Sequence, residues 1–250
     1  MQTPRMRVFA GPNGSGKSTL KGVLPPILLG VYLNPDEIES EIRKTGRLVP
    51  SAFGVTTTSN EILGHLRSSP LLVAGNLRSE VERLHFSSGR LHFDRVEINS
   101  YFATAVLDFL RMKLLESKTS FTFETVMSHP SKIEILRHAR SLGFRVYLYF
   151  IATEDPVINV SRVEARVELG GHPVPTEKIM HRYARSLDLL WAAIAHTNRA
   201  YIFDNSGDTF ENTWVAEITD GTNMEVRSSA LPHWFQRAVL DKVSDRPGPQ

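Results

Sequence analysis

The chain contains no cysteine. Disulfide staples, thiolate nucleophiles and cysteine-ligated zinc are therefore excluded before any motif is read. It also lacks a strong charge of either sign, since the formal net charge is only +2. That balance gives no global electrostatic reason to expect nucleic acid, and no basic stretch is interleaved with aromatics. No apolar run nears the ~18 residues that a membrane span needs. The apolar part of the first residues is too short for a signal segment. The expectation is a cytoplasmic protein with neither membrane nor nucleic acid as partner. Repeats and low-complexity blocks are absent as well. What remains is ordinary: 41% hydrophobic and 22% charged residues over 250 positions, which suits a single α/β domain.

Short apolar runs alternate with helical patterns. Strands are expected at 6–10, 31–33, 121–125, 145–152 and 200–204, and a hairpin about Asp220-Gly221. The run 145–152 is almost continuously apolar, as a buried parallel strand requires. Helices are expected from Lys17 to Leu24, after Asn34 as N-cap, over 97–116, from Ser131 with a capping box to Glu134, after Pro156, from Thr176 as N-cap, and over about 231–241. In helix 97–116 the positions Ile98, Phe102, Ala105, Phe109 and Met112 form the apolar stripe, and Tyr101 and Trp191 are assigned to the core. Residues 45–95 carry weak periodicity and read as an insertion with short helices and a strand. The alternation implies an α/β fold: a parallel five-stranded sheet with helices on both faces, and ligands at the carboxyl ends of the strands.

The stretch "GPNGSGKST" fits the phosphate-loop pattern G-x-x-x-x-G-K-[ST] between a strand and a helix. Glycines let backbone N–H groups turn inward around a phosphate, the lysine reaches the β- and γ-phosphates, and the serine hydroxyl binds Mg²⁺. Gly11, Pro12, Asn13, Gly14, Ser15, Gly16, Lys17, Ser18 and Thr19 are therefore candidate nucleotide-binding residues, with ATP and Mg²⁺ as cofactors. The plainer reading is a glycine turn that caps a helix.

The loop does not specify what happens to the phosphate. No strand ends in the acidic pair that an ATP-driven machine uses. A kinase instead needs a base, an acceptor pocket and cations over the moving phosphoryl group. Asp36, just past the second strand, can serve as base or simply suit a helix first turn. Glu124 ends the third strand, where a carboxylate should meet Mg²⁺, an acceptor hydroxyl or a basic partner; Thr125 and Ser128 follow as polar candidates. Arg162 and Arg166 share a helix face, "GGHPVP" offers a hinge, and Arg182 and Arg185 lie on the next helix. This helix–turn–helix, about 156–186, reads as a phosphate lid. His172 in the turn reads as a turn residue, and no metal-ligand set is apparent. Asn205 follows the fifth strand, where the adenine passes in kinases of this layout.

Together "GPNGSGKST", "NPD", "FETVMSH", "RVEARVELGGHPVP…IMHRYARSL" and "YIFDNSG" resemble the zeta-toxin family of phosphate-loop kinases, over roughly 6–40 and 97–206. The resemblance implies a P-loop NTPase fold of kinase type in one domain, 1–250, with an arginine-bearing helical lid and a C-terminal hairpin. It implies ATP-dependent phosphorylation of the 3′-hydroxyl of UDP-N-acetylglucosamine, with a small antitoxin protein as partner. Lys17 and Ser18 match the family's phosphate-loop lysine and Mg²⁺-binding hydroxyl, Asp36 its general base, and Glu124 an acidic substrate- or Mg²⁺-side residue. Arg166 and Arg182 or Arg185 match its lid arginines. The founding toxins usually carry aspartate where this chain has Asn34, and segment 45–95 is long. Other nucleotides, nucleosides or dinucleotides therefore stay open as acceptors, as does an ATP-binding switch acting on a protein.

Overall fold

The structure, a computed structural model, describes residues 3–171, 173–207 and 212–244. The turn assignment of residue 172 and the tail beyond 244 lie outside the described residues. Ten strands are described: β1 (Arg5–Ala10), β2 (Val31–Leu33), β3 (Arg47–Leu48), β4 (His85–Ser87), β5 (Arg90–His92), β6 (Phe121–Thr125), β7 (Arg145–Ala152), β8 (Arg199–Asp204), β9 (Thr213–Thr219) and β10 (Asn223–Val226). The chain divides into two compact units, one of Met1–Leu28 with Glu124–Gln250 and one of Leu29–Phe123. The sequence suggested one domain with an insertion at 45–95.

In the first unit β1 pairs in parallel with β7, Arg5 opposite Arg145 through Ala10 opposite Phe150. β7 pairs in parallel with β8, and β9 and β10 extend this array antiparallel. β7 is buried at every residue from Leu148 to Ala152, which is why it reads as an unbroken apolar run. The β9–β10 hairpin turns at Asp220 (φ 49°) and Gly221 (φ 70°), both left-handed as a type I′ turn demands. Helices Ser131–Ser141, Pro156–Glu168 and Thr176–Ala195 belong to this unit. So does the C-terminal helical stretch His233–Ser244, whose middle, Gln236–Leu240, is π-helical. Trp234 and Phe235 are fully buried.

In the second unit β2 pairs in parallel with β6, Val31 opposite Phe121 and Leu33 opposite Phe123. The five strands expected to be parallel are thus all present and all in parallel pairs. Helix Pro35–Thr45 opens as the sequence indicates: the Asn34 side chain accepts from the N–H groups of Asp36 (2.8 Å) and Glu37 (3.2 Å), and Pro35 fills N1. It packs on helix Ser100–Glu116, where Phe102, Ala105 and Phe109 are buried. Met112 and Tyr101 are exposed, against expectation. Each lies beyond the edge of a stripe already filled by Ala103, Val106, Leu110 and Leu114. The region 45–95 holds helix Ser59–Ser68, with a Thr58–Glu61 capping box, and a small sheet ordered β3-β5-β4.

Two expected caps are not used. Helix Ser131–Ser141 starts after Pro130 with no side-chain cap. The Ser131 N–H bonds to His129 Nδ1 and Glu134 pairs with Arg137 instead, so the capping box does not close. Helix Thr176–Ala195 follows Pro175, which places Thr176 at N1 rather than N-cap.

A candidate phosphate site in the first unit

Gly11, Gly14 and Gly16 all adopt positive φ, at 147°, 74° and 94°, a region costly for any other residue. Space is closed by backbone at Gly11 and Gly14 and by a side chain at Gly16. A Cβ on Gly11 would lie 2.0 Å from the carbonyl oxygen of Ile151, and one on Gly14 2.4 Å from that of Asn159. One on Gly16 would lie 2.3 Å from Nδ2 of Asn205. The loop is therefore pressed against β7, against helix Pro156–Glu168 and against the segment after β8. The Gly11 N–H also bonds to Thr125 O.

Side chains from those elements hold the loop by its carbonyls. Asn159 Nδ2 donates to Asn13 O (2.6 Å), and the Thr153 hydroxyl donates to Asn159 Oδ1. Asn205 Nδ2 donates to Ser15 O (2.9 Å). Ser15, fully buried, donates to Pro12 O (2.9 Å). Lys17 Nζ donates to Gly11 O (2.8 Å) and Pro12 O (2.7 Å), which brings its ammonium over the loop. After Lys17 the chain forms a 3₁₀ segment, Lys17–Val23, rather than the expected α-helix. Gly22 and the prolines 25 and 26 leave too few residues for α-helical turns to propagate. Ser18 and Thr19 are exposed at its start, and Thr19 Oγ1 bonds to Gly16 O (2.7 Å).

The four arginines separate into two pairs. Arg182 Nη1 approaches Asn13 Oδ1 (3.3 Å), so this guanidinium stands at the loop. Arg162 donates to the carbonyls of Asn205 (2.7 Å) and Gly207 (3.0 Å), clamping the segment that anchors the loop. Arg166 and Arg185 are exposed. Arg166 lies in the last turn of its helix, which Gly170 (φ 87°) terminates.

The remaining candidates lie on other elements. Glu124 and Thr125 are half-buried at the end of β6, and Thr125 Oγ1 accepts from the Met127 N–H (3.0 Å). Ser128 is half-buried in the following loop. Asp36 is exposed in the first turn of its helix, in the second unit.

Sequence reasoning missed Thr153, Asn159 and Tyr183. Asn159 is fully buried one helical turn before buried Val163. A polar residue at i, i+4 on an apolar face was the available signal. Tyr183 donates to Thr153 O (2.6 Å). Burial, and then the nearby Glu154 carboxylate, push its phenol up to about 12, so it remains a donor.

Comparison with known proteins agrees with this reading of the fold. The family model for zeta toxin matches residues 92–210, just under half of the chain; the resemblance noted in the sequence stands on that match. A curated protein of Haemophilus influenzae (strain Rd), described as uncharacterized, is 32% identical over 69 residues, 28% of this chain and 49% of that protein. The crystal structure of AvrRxo1-ORF1:AvrRxo1-ORF2 with sulphate ions aligns at TM-score 0.55 and 15% identity, covering 99% of this chain and 66% of that chain. The AvrRxo1-ORF1:-ORF2 structure with ATP aligns at 0.55 and 14% identity with the same coverage. This chain thus spans about half the length of the curated relative and just under two thirds of the solved one. The likeness to these structures shows an α/β fold. Among the described residues no helix is long and apolar enough to cross a membrane.

Proposed function

We propose, from the zeta-toxin character of residues 92–210, that this chain is an ATP-dependent kinase. It transfers the γ-phosphoryl group of ATP to a hydroxyl of a small nucleotide-linked metabolite, UDP-N-acetylglucosamine first. The observation that carries the reading is the loop 11–16. Three glycines stand in conformations and spaces closed to side chains, and such a loop turns backbone N–H groups toward a phosphate chain. That a solved structure of this fold contains ATP is consistent with it.

Lys17 and Arg182 supply cations for the transferring phosphoryl group, which carries charge that preorganised donors stabilise. Asn159 and Asn205 keep the loop in shape, and Arg162 keeps Asn205 in place. The residues fit Mg²⁺: Ser18 offers an exposed hydroxyl beside Lys17, and Glu124 a half-buried carboxylate. Ser18 and Glu124 would hold the ion, which would supply charge neutralisation for the phosphate chain. Asp36 accepts the proton of the attacking hydroxyl, and Thr125 and Ser128 contact the acceptor. Arg166 and Arg185, on the lid, close over the phosphates. By the same resemblance a small antitoxin protein is the partner.

The test is incubation of purified protein with Mg-ATP and a panel of UDP-sugars, nucleosides and dinucleotides, followed by mass spectrometry. A single added phosphoryl group on UDP-N-acetylglucosamine is expected, and Asp36→Asn should abolish it while ATP still binds. Phosphorylation of a different acceptor would reassign the substrate. Hydrolysis without any acceptor, unchanged in Asp36→Asn, would replace the kinase by a nucleotide switch.

A further inference from the structure

The second unit carries a side-chain cluster that the kinase reading does not use. Sequence spacing revealed no metal-ligand set; the small sheet brings two histidines and an aspartate together. His85 on β4 stands directly opposite His92 on β5, because the chain turns tightly at Ser88 (φ 50°) and Gly89 (φ 72°). Cross-strand neighbours of this kind have Cβ atoms about 5 Å apart. The two imidazoles stack with centroids 4.5 Å apart and planes 2° from parallel. Asp94, two residues past His92, returns its carboxylate to the same spot, with Oδ1 3.7 Å from His92 Nδ1. One ligand atom from each of His85, His92 and Asp94 falls within 4.8 Å of the others.

The other nitrogen of His92 is also engaged. Nε2 lies 3.2 Å from the Ser87 hydroxyl. With Nε2–H donating to that oxygen, the Nδ1 lone pair faces Asp94. A metal-bound imidazole is oriented in this way, its second nitrogen donating to a nearby oxygen. His92 is half-buried and so holds its place, while His85 and Asp94 are exposed and open to an entering ion.

We infer that His85, His92 and Asp94 form a binding site for a divalent transition-metal ion of the zinc class. Two imidazoles and one carboxylate suit Zn²⁺, Co²⁺, Ni²⁺ or Cu²⁺ and not Mg²⁺ or Ca²⁺, which prefer all-oxygen ligands. Three protein ligands leave a fourth position for water or an external ligand. Ligand-to-metal distances near 2 Å require the three groups to draw together. That draws the exposed His85 ring out of its stack on His92. The ion would tie β4, β5 and the segment after β5 into one closed unit.

The experiment titrates the untagged full chain with Co²⁺ and Zn²⁺, reading visible Co²⁺ absorption and calorimetric stoichiometry. One ion per chain is expected, bound Co²⁺ being displaced by Zn²⁺ and unaffected by millimolar Mg²⁺. His85→Ala and His92→Ala should each weaken binding by well over tenfold, and Asp94→Asn should weaken it too. Ser87→Ala, a positioning change, should weaken it about tenfold; circular dichroism of each variant verifies that it folds. Absence of a saturable Co²⁺ spectrum would overturn the inference. So would binding that survives in the His85→Ala/His92→Ala double variant, or an ion that Mg²⁺ displaces. None of these outcomes depends on phosphoryl transfer.

Discussion

At the scale of single residues, the phosphate loop shows why a motif and its environment carry different information. The pattern of glycines, lysine and serine is written in the sequence, and with it the expectation of a phosphate chain. What presses on each glycine is not. Gly11 and Gly14 abut backbone carbonyls, whereas Gly16 abuts the side-chain amide of Asn205. Substitution should therefore not be equivalent. Gly11→Ala is expected to destabilise the protein by about 2–4 kcal/mol or prevent folding, since a strained φ adds to a fixed steric clash. Gly16→Ala should cost less, because the Asn205 amide can turn away, at the expense of its bond to Ser15 O. Thermal unfolding of the two variants compares them directly. The arginines teach the same lesson. Four in a helix–turn–helix read as a set, yet Arg162 is committed to the carbonyls of residues 205 and 207. No spacing rule distinguishes a cation that holds backbone from one that meets phosphate.

Secondary-structure elements were legible where a single chemical signal dominated. The apolar run of β7, the Asn34-Pro35 helix start and the Asp220-Gly221 turn all appear where the residues put them. Elements whose identity depends on a neighbour were not. The Ser88-Gly89 hairpin is short and half-polar, and its second strand, β5, also pairs with β3. The Ser131–Glu134 capping box fails because the N-cap is Pro130, which places Ser131 at N1 and leaves no N-cap N–H for Glu134 to accept. Helix Ser59–Ser68 offers a test at this scale. His65 packs edge-on against Phe109, with centroids 5.4 Å apart. Burial pulls its pKa below 6.5, and the nearby Asp108 only partly opposes that. Between the lowered value and 6.5 the unfolded chain binds more protons than the folded one, so stability rises with pH there and falls as pH drops below 6.5. The unfolding midpoint should decline from pH 7 to pH 5, and His65→Gln should flatten that slope. At Phe109, fully buried in the facing helix, truncation to Ala should cost about 3–5 kcal/mol, read by denaturant unfolding.

At the scale of the whole molecule, the alternation of strands and helices was enough to name the class of fold. It was not enough to show that the chain divides at Leu28 and Glu124 into a discontinuous unit and a continuous one, because pairing partners are invisible in one dimension. If the loop binds ATP, the folded protein gains stability by mass action. At a hundredfold excess over the dissociation constant the gain is about 2.7 kcal/mol, and Lys17→Ala should lose most of it in a ligand-dependent unfolding series. The discontinuity also acts in time. The loop is made at residues 11–16, but its supports are Ile151, Asn159 and Asn205, and β7, which pairs with β1, begins only at Arg145. During synthesis at ~5–20 residues per second, the first strand waits on the order of ten seconds for β7 and longer for Asn205. If the loop binds phosphate, it can do so only once Asn205 is made, so a chain cut short upstream of residue 205 is expected not to bind ATP.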